Sequence, residues 1–156
     1  MDAVQVINDD IAVANCQLSP EQIQQAAQAG FKSVLNLRSP QEKGALSDEQ
    51  TRVEAAGLTY SNIPVNPSNM GDDVADQVMQ TLDSLPKPVL THCKSGIRSG
   101  MMALLYGATR SGMSADAALA KGKESGFDCD SHPQMKQFFV DYINRHSSTD
   151  APPPAA

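Results

Sequence analysis

The chain has 156 residues, of which 40% are hydrophobic and 19% are charged. These proportions are typical of an ordinary globular protein, and the length suits one domain that buries roughly 70% of the surface of its unfolded form. The net charge of -6 argues against general binding to nucleic acid or to an anionic membrane, because both need a basic surface. An acidic protein that binds anions must concentrate positive potential locally.

Three cysteines, Cys16, Cys93 and Cys129, show no metal-ligand spacing. We expect Cys16 and Cys129 to be buried or semi-buried thiols, and we expect no metal or other cofactor. The N-terminal residues lack a basic segment followed by an apolar one, which favours a cytoplasmic protein, or a periplasmic one whose signal peptide has been removed. No apolar run approaches the length of a membrane span.

The predicted elements alternate between short strands and amphipathic helices. Ser19 and Gln22 form a capping box that starts the first helix, Ser47 and Gln50 predict a second box, and Ser114 predicts a third cap. Strands are predicted at 5–7, 11–14, 31–37, 58–63 and 89–92. Helices are predicted at 20–29, 48–56, 72–82, 97–110, 115–123 and 133–146.

This alternation predicts an α/β fold with a central, mostly parallel sheet and helices on both faces. Residues 1–146 are predicted to form one catalytic domain without an internal repeat. Residues 147–156 read as a disordered tail, because this Ser/Pro/Ala segment has too few apolar side chains to fold.

The stretch Val89–Gly100 (VLTHCKSGIRSG) carries the clearest chemical signal in the sequence. A buried strand ends just before Cys93, a short loop follows, and a helix begins after Gly96. Ligands bind at the carboxyl ends of parallel strands, and loop amides with a helix N-terminus form an anion site there. Gly96 lets the backbone curl, and the planar guanidinium of Arg98 matches two oxygens of a phosphate.

The same positive field acts on the thiol of Cys93. A free thiol has a pKa of about 8.5, and a helix N-terminus with cationic neighbours lowers it to about 3.5–7.5. Cys93 would then be a thiolate nucleophile facing a bound oxyanion, with Ser95 or Ser99 stabilising the sulfur as a leaving group. The alternative is that Cys93 is a small buried side chain and Arg98 a surface charge. His92 either tunes the thiol or simply packs at the strand end.

These residues resemble the signature of protein tyrosine and dual-specificity phosphatases, His-Cys-x-x-Gly-x-x-Arg-Ser. The segment 18–38 is similar to the opening of dual-specificity-like phosphatases, 60–65 to their next strand, and 112–119, with Gly126-Phe127, to their C-terminal helices. Most closely, residues 5–145 resemble the bacterial phosphatase domain that is also found fused to beta-lactamase hydrolase-like proteins. The resemblance implies a phosphatase fold, and hydrolysis of phosphomonoesters through a phosphocysteine formed on Cys93.

Two departures from the phosphatase pattern leave alternatives open. Four residues separate Cys93 from Arg98, one fewer than in the phosphatase loop, and this spacing resembles that of rhodanese-type sulfurtransferases, which would carry a persulfide on Cys93. The phosphatase general acid is an Asp, yet the matching position holds Asn66. Asp72 and Asp73 are the nearest substitutes, and their other role would be to favour a helix start.

The sequence therefore supports three functional hypotheses: a cysteine-based phosphatase, a sulfurtransferase, and a non-catalytic module that binds an oxyanion. Each predicts a phosphorylated or other oxyanion ligand and neither nucleic acid nor membrane as a partner. Arg38 either lines the pocket as a second cation or pairs with Glu42 and braces its loop. The candidate catalytic residues are Cys93, Arg98, Asp72 and Asp73. The candidate substrate-binding residues are Lys94, Ser95, Gly96, Ile97, Ser99, Arg38 and Asn66.

Overall fold

The computed structural model of the chain describes residues 4–39, 41–45, 48–66, 71–94, 96–127 and 132–150, with the backbone alone described for 147–150. The strands are β1 (Val4–Val6), β2 (Ile11–Ala14), β3 (Ser33–Asn36), β4 (Thr59–Asn62) and β5 (Val89–His92). The helices are α1 (Pro20–Gln28), α2 (Glu49–Ala55), α3 (Asp72–Ser84), α4 (Ile97–Ser111), α5 (Ala115–Glu124) and α6 (Pro133–Asp150).

The strands form one sheet in the spatial order β1-β2-β5-β3-β4. β1 pairs antiparallel with β2, whereas β2, β5, β3 and β4 run parallel to one another. The predicted α/β fold with a mostly parallel sheet is confirmed. β5 lies at the centre of the sheet, between β2 and β3, so the residues that follow β5 emerge between the loops after β2 and β3.

Helices cover both faces of the sheet, and each face has its own core. α1 and α2 cover one face through a cluster that includes Leu18, Ile23, Val34, Val53 and Leu90. The other face carries α3 to α6, and its larger cluster includes Leu35, Val78, Met101, Phe139 and Tyr142. Burial of apolar surface on both faces holds the strand ends in fixed positions.

The start of α1 confirms the predicted capping box. Ser19 Oγ accepts a hydrogen bond from the Gln22 amide at 3.2 Å, and Gln22 Oε1 accepts one from the Ser19 amide at 2.9 Å. Ser114 caps α5 in the predicted way, because its hydroxyl accepts a hydrogen bond from the Ala117 amide at 3.1 Å. Local signals of this kind need only residues that are close in sequence.

The predicted capping box at Ser47 and Gln50 does not describe the start of α2. The helix begins at Glu49 with Asp48 at the N-cap position, and Ser47 lies outside the described residues. Asp48 makes no side-chain cap, because its carboxylate instead accepts a hydrogen bond from Arg52 at 2.9 Å. Glu49 turns inward and is only 2% exposed.

Helix α6 continues to Asp150, four residues beyond the predicted end at His146. Residues 147–150 contain no helix breaker, and the first proline of the tail is Pro152. The rest of the predicted disordered tail, residues 151–156, lies outside the described residues. Within the described ranges, neither α6 nor any other helix combines the length and the apolar character needed to cross a membrane.

Close packing fixes the first turns of α4 against the chain that follows α5. A Cβ atom at Gly100 would lie 2.5 Å from a ring carbon of Phe127, which is closer than two non-bonded carbons can approach. Glycine at this position therefore lets α4 sit deep in the fold. The same turns carry Arg98 and Ser99, so this packing also positions the candidate site.

Candidate active site

The candidate site lies at the carboxyl ends of the parallel strands. Cys93 directly follows β5, and the loops after β2, β3 and β4 bring Asn15, Glu42 and Val65 to the same region. The sequence separates these residues by up to 78 positions, and only the parallel sheet brings them together. This edge of the sheet is where ligands bind in open α/β folds.

Cys93 is fully buried, and two hydrogen-bond donors point at its sulfur. The Gly96 amide donates to Cys93 Sγ at 3.2 Å, and Ser99 Oγ lies 3.4 Å from the same atom. Ser99 Oγ lies at the same distance from the Gly96 carbonyl oxygen, so its single proton can serve either acceptor. Hydrogen bonds to the sulfur favour its charged form, whereas full burial opposes it.

The loop after Cys93 needs glycine at position 96 for two reasons. Gly96 is the N-cap of α4 and has φ +93°, a left-handed conformation that residues with a Cβ rarely adopt. A Cβ at this position would also lie 3.0 Å from Asn15 Oδ1 and 3.1 Å from Asn15 Cα. The curl of the loop therefore turns the Gly96 amide inward, toward the sulfur, as the sequence predicts.

Arg98, in the first turn of α4, is held by a carboxylate from the loop after β3. Its Nη1 and Nη2 donate to Glu42 Oε2 at 2.8 Å and to Glu42 Oε1 at 3.0 Å, which is a bidentate pair. Nη1 also donates to the Val65 carbonyl oxygen at 2.8 Å. Arg98 is thus a fixed side chain and not a mobile surface charge, which was the alternative left open by the sequence.

These contacts fix one end of the guanidinium and so set the direction of its other edge. Three of its five N–H groups donate to Glu42 and Val65, the other two are the Nε–H and one Nη2–H, and a side-chain hydrogen bond also joins Arg98 to Cys93. In the planar guanidinium these two groups lie on one edge, where they match two oxygens of a tetrahedral anion. The hydrogen bonds with Glu42 raise the pKa of Arg98 against the effect of burial, and Cys93 raises it further.

Glu42 is stabilised as a carboxylate by the same pair. Its hydrogen bond with Arg98 lowers its pKa from 4.5 to about 2, although partial burial opposes the shift. The ionised form therefore stabilises the fold at pH values above 4.5, and this contribution is lost as the pH falls from 4.5 through 2. We expect Glu42→Gln to lower the free energy of unfolding by about 1 kcal/mol near neutral pH, after solvent screening.

Urea unfolding as a function of pH tests this expectation. The difference between the wild type and Glu42→Gln should shrink below pH 4.5 and vanish near pH 2, the window set by the pKa of Glu42. Glu124→Gln is the matched control, because this carboxylate is exposed on α5. A difference that stays constant down to pH 2 would mean that the pair with Arg98 does not lower the pKa of Glu42.

Arg38 makes contacts that correspond to the bracing role. It is only 2% exposed, and its guanidinium donates to Gln17 Oε1 at 3.0 Å, to Glu42 Oε1 at 3.4 Å and to the Lys43 carbonyl oxygen. These partners all belong to the loops that surround the site. Arg38 therefore holds the Glu42 loop from behind, and the role of a second cation that lines the pocket is not supported.

His92 faces away from the sulfur of Cys93, toward α2. Its Nε2 lies 2.7 Å from Glu49 Oε2, and its Nδ1 lies 3.4 Å from the carbonyl oxygen of Cys93. Consecutive strand residues point to opposite faces of a sheet, which explains why His92 and Cys93 diverge. The structure thus corresponds to neither alternative in full, because His92 is a buried side chain with a specific carboxylate partner.

Asp72 and Asp73 lie in the first turn of α3, where acidic side chains are favoured by the helix dipole. Both are exposed, and Asp72 forms an ion pair with Arg145 of α6. Among the described residues, neither carboxylate forms a hydrogen bond or ion pair with Cys93 or Arg98. Asn66, at the position of the expected acid, is half-buried.

The remaining predictions concern the loop and the other thiols. Lys94 is exposed, and Ile97 is the half-buried first residue of α4. Cys16 is half-buried, as expected, and its sulfur lies near the side chain of Gln22. Ser95 and Cys129 lie outside the described residues, so their predicted roles stay predictions.

Three residues that contact the site were not predicted from the sequence as part of it. Glu42 was considered only as a partner of Arg38, whereas Gln17 and Glu49 were not considered. Glu49 left one signal, because it lies four residues before Val53 and thus on the buried face of α2. A carboxylate at such a position calls for a buried partner, which is His92.

Comparison with known proteins assigns this chain to a family. The family model for the phosphatase-like domain of the beta-lactamase hydrolase-like protein matches residues 3–109, a range that includes the loop from Cys93 to Arg98. A beta-lactamase hydrolase-like protein from Xylella fastidiosa is 29% identical over 126 residues, which are 78% of this chain. The match spans only 29% of that relative.

Solved structures show the same fold. A DUF442 protein from Shewanella putrefaciens CN-32 has a TM-score of 0.79 at 22% identity, covering 92% of this chain and 93% of its own. A P. aeruginosa TpbA variant in complex with phosphotyrosine has a TM-score of 0.73 at 17% identity, covering 94% of this chain and 90% of its own. The predicted fold of the tyrosine and dual-specificity phosphatases is thereby confirmed.

The family match extends over more than half of the chain, and it includes the strand, loop and helix that build the candidate site. The family resemblance read from the sequence is confirmed with it. The chain therefore belongs to the family of phosphatase-like domains of beta-lactamase hydrolase-like proteins.

Proposed function

We propose that the chain is a cysteine-dependent phosphatase that hydrolyses phosphomonoesters through a phosphocysteine on Cys93. The arrangement around the sulfur carries this proposal. Cys93 Sγ accepts a hydrogen bond from the Gly96 amide at 3.2 Å, and the bidentate pair with Glu42 orients Arg98, which also shares a side-chain hydrogen bond with Cys93. The phosphotyrosine in the TpbA complex supports a phosphorylated substrate for this fold.

In the first step the Cys93 thiolate attacks phosphorus. An S–P bond forms, the ester P–O bond breaks, and the leaving oxygen takes a proton. In the second step water attacks phosphorus, the S–P bond breaks, and inorganic phosphate leaves while the thiolate is restored. The Gly96 amide and the Ser99 hydroxyl stabilise that thiolate both before the first step and when it leaves in the second.

Arg98 and the amides at the start of α4 bind the phosphoryl oxygens. Negative charge on these oxygens is stabilised by donors that are already in place before the substrate binds. The bidentate contact with Glu42 orients the guanidinium, and the Val65 carbonyl fixes its other Nη1–H. The site therefore needs little rearrangement to hold the transition state.

Asp72 or Asp73 is the proposed general acid, since these carboxylates follow the position occupied by Asn66. We expect Asp73→Asn, or the double change with Asp72→Asn, to lower kcat about 10²-fold on phenyl phosphate. Para-nitrophenyl phosphate should be affected much less, because nitrophenolate leaves without a proton.

A ratio of rates on these two substrates is the measurement that checks the acid assignment. Asp116→Asn is the control, because Asp116 occupies the corresponding first turn of α5. Unchanged hydrolysis of phenyl phosphate by both Asp variants would remove Asp72 and Asp73 from the mechanism and leave the nucleophile assignment intact.

The activity itself is tested with two assays on the purified chain. We expect release of nitrophenol from para-nitrophenyl phosphate and no thiocyanate from thiosulfate plus cyanide. The sulfurtransferase is the second candidate, and the four-residue spacing between Cys93 and Arg98 favours it. Thiocyanate without nitrophenol would support that candidate and contradict the phosphatase, whereas phosphate binding without either product would support the non-catalytic module.

A further inference from the structure

A continuous chain of polar side chains runs behind the candidate site. It begins at His92, next to the nucleophile, and passes through Glu49, Gln17, Arg38 and Glu42. It ends at Arg98, which Glu42 holds with two hydrogen bonds. Each link is a hydrogen bond or an ion-pair contact of 2.6–3.4 Å. This series of side chains thus connects His92 and Arg98, which lie on either side of the loop after Cys93.

Gln17, in the segment between β2 and α1, is the neutral link between two charged groups. Its Nε2 donates to Glu49 Oε1 at 2.6 Å and to the Leu18 carbonyl oxygen at 3.1 Å. Its Oε1 accepts a hydrogen bond from Arg38 Nη1 at 3.0 Å. A primary amide supplies both a donor for a carboxylate and an acceptor for a guanidinium from the same side chain.

The buried charged side chains in this series also depend on the hydrogen bonds of Gln17. Glu49 and Arg38 are both 2% exposed, and a buried charge is tolerated only where it is paired and hydrogen-bonded. Two carboxylates, Glu42 and Glu49, balance two guanidinium groups, Arg38 and Arg98. Gln17 joins the two halves of this balanced set without adding a charge to it.

We propose that Gln17 is a positioning residue for the oxyanion site. It holds Arg38 in place, Arg38 orients Glu42, and Glu42 orients the edge of Arg98 that binds the substrate. A glutamine outside the signature loop thereby sets the affinity of that loop for phosphate. The proposal rests on the proposed function to the extent that this anion site is the substrate site.

The test is a double-mutant cycle on the affinity for inorganic phosphate, measured by isothermal titration calorimetry on the full chain. The variants are Gln17→Leu, Glu42→Ala and their combination. We expect Gln17→Leu alone to raise the Kd for phosphate about tenfold. In the Glu42→Ala background, where the connection to Arg98 is already broken, the same change should have less than about a twofold effect.

Two further variants separate positioning from stability. Gln24→Leu is the matched control, because Gln24 is exposed on α1, and it should bind phosphate like the wild type. Gln17→Glu keeps the size but replaces the donor to Glu49 with a second carboxylate oxygen, and the repulsion from Glu49 should displace the side chain from Arg38 and weaken binding as Gln17→Leu does. Urea unfolding of every variant establishes that the chains compared are folded.

Equal effects of Gln17→Leu in both backgrounds would overturn the proposal, and so would an unchanged Kd in a folded variant. If neither Gln17 variant folds, Gln17 serves stability alone and the proposal is wrong. A wild type that binds phosphate without hydrolysing para-nitrophenyl phosphate contradicts the proposed function, yet it leaves this test intact because affinity is the quantity measured. A wild type that binds no phosphate overturns both.

Discussion

Cys93→Ser is expected to lower kcat on para-nitrophenyl phosphate by at least about 10⁴-fold, the scale on which loss of a covalent nucleophile acts. A serine hydroxyl is a far weaker nucleophile than a thiolate at neutral pH. Steady-state kinetics on both proteins measures the loss.

The affinity of Cys93→Ser for inorganic phosphate is the second part of this prediction. Cys93→Ser should still bind inorganic phosphate, because the Gly96 amide and the guanidinium of Arg98 remain in place. Cys16→Ser is the control, since this half-buried thiol contacts Gln22 outside the site, and its kcat should match that of the wild type. Substantial activity in Cys93→Ser would rule out Cys93 as the nucleophile.

Arg98→Lys is expected to lower kcat about 10²–10³-fold, the cost of removing one fixed donor from a transition-state charge. Lysine keeps the positive charge but has no planar fork. It therefore cannot contact both oxygens of Glu42 and two phosphoryl oxygens at once. Stopped assays with para-nitrophenyl phosphate measure kcat and KM separately.

The matched control is Arg110→Lys. Arg110 also forms a bidentate pair, with Asp83 on α3, but it lies on the exposed surface. The two changes remove the same chemical group from the same kind of ion pair. Only Arg98→Lys should affect catalysis, and equal activity of the two variants would mean that the Arg98 fork does not bind the substrate.

The fold was largely predictable because its signals are local. The strand at 89–92 and the capped starts at Ser19 and Ser114 follow from residues within a few positions of one another. The end of α6 was predicted four residues early, because the polar tail was interpreted as disordered although it contains no breaker before Pro152. The start of α2 differs from the prediction because Asp48 holds the N-cap position, and its side chain bonds Arg52 instead of the helix amides.

The site was predictable only where its residues share one loop. Cys93, Gly96, Arg98 and Ser99 fall within seven consecutive positions, and the structure brings them together. The contacts between Glu42 and Arg98 span 56 positions, and no spacing rule indicates them.

The buried contacts of α2 with β5 and with the segment between β2 and α1 could not be predicted from the sequence for the same reason. Glu49 meets His92 across 43 positions and Gln17 across 32. Such partners are set by the order of strands in the sheet, which determines whose loops are neighbours. The sequence alone predicted a mostly parallel sheet, but not that β5 would lie between β2 and β3.

The central claim is that a phosphoryl group is bound covalently to Cys93 during turnover. The most direct test is to quench the reaction with para-nitrophenyl phosphate in acid and to examine the peptide that contains Cys93 by mass spectrometry. We expect the mass of one phosphoryl group on Cys93 in the wild type, and no such adduct in Cys93→Ser. Rapid turnover with no adduct on Cys93, or an adduct on another residue, would contradict the account.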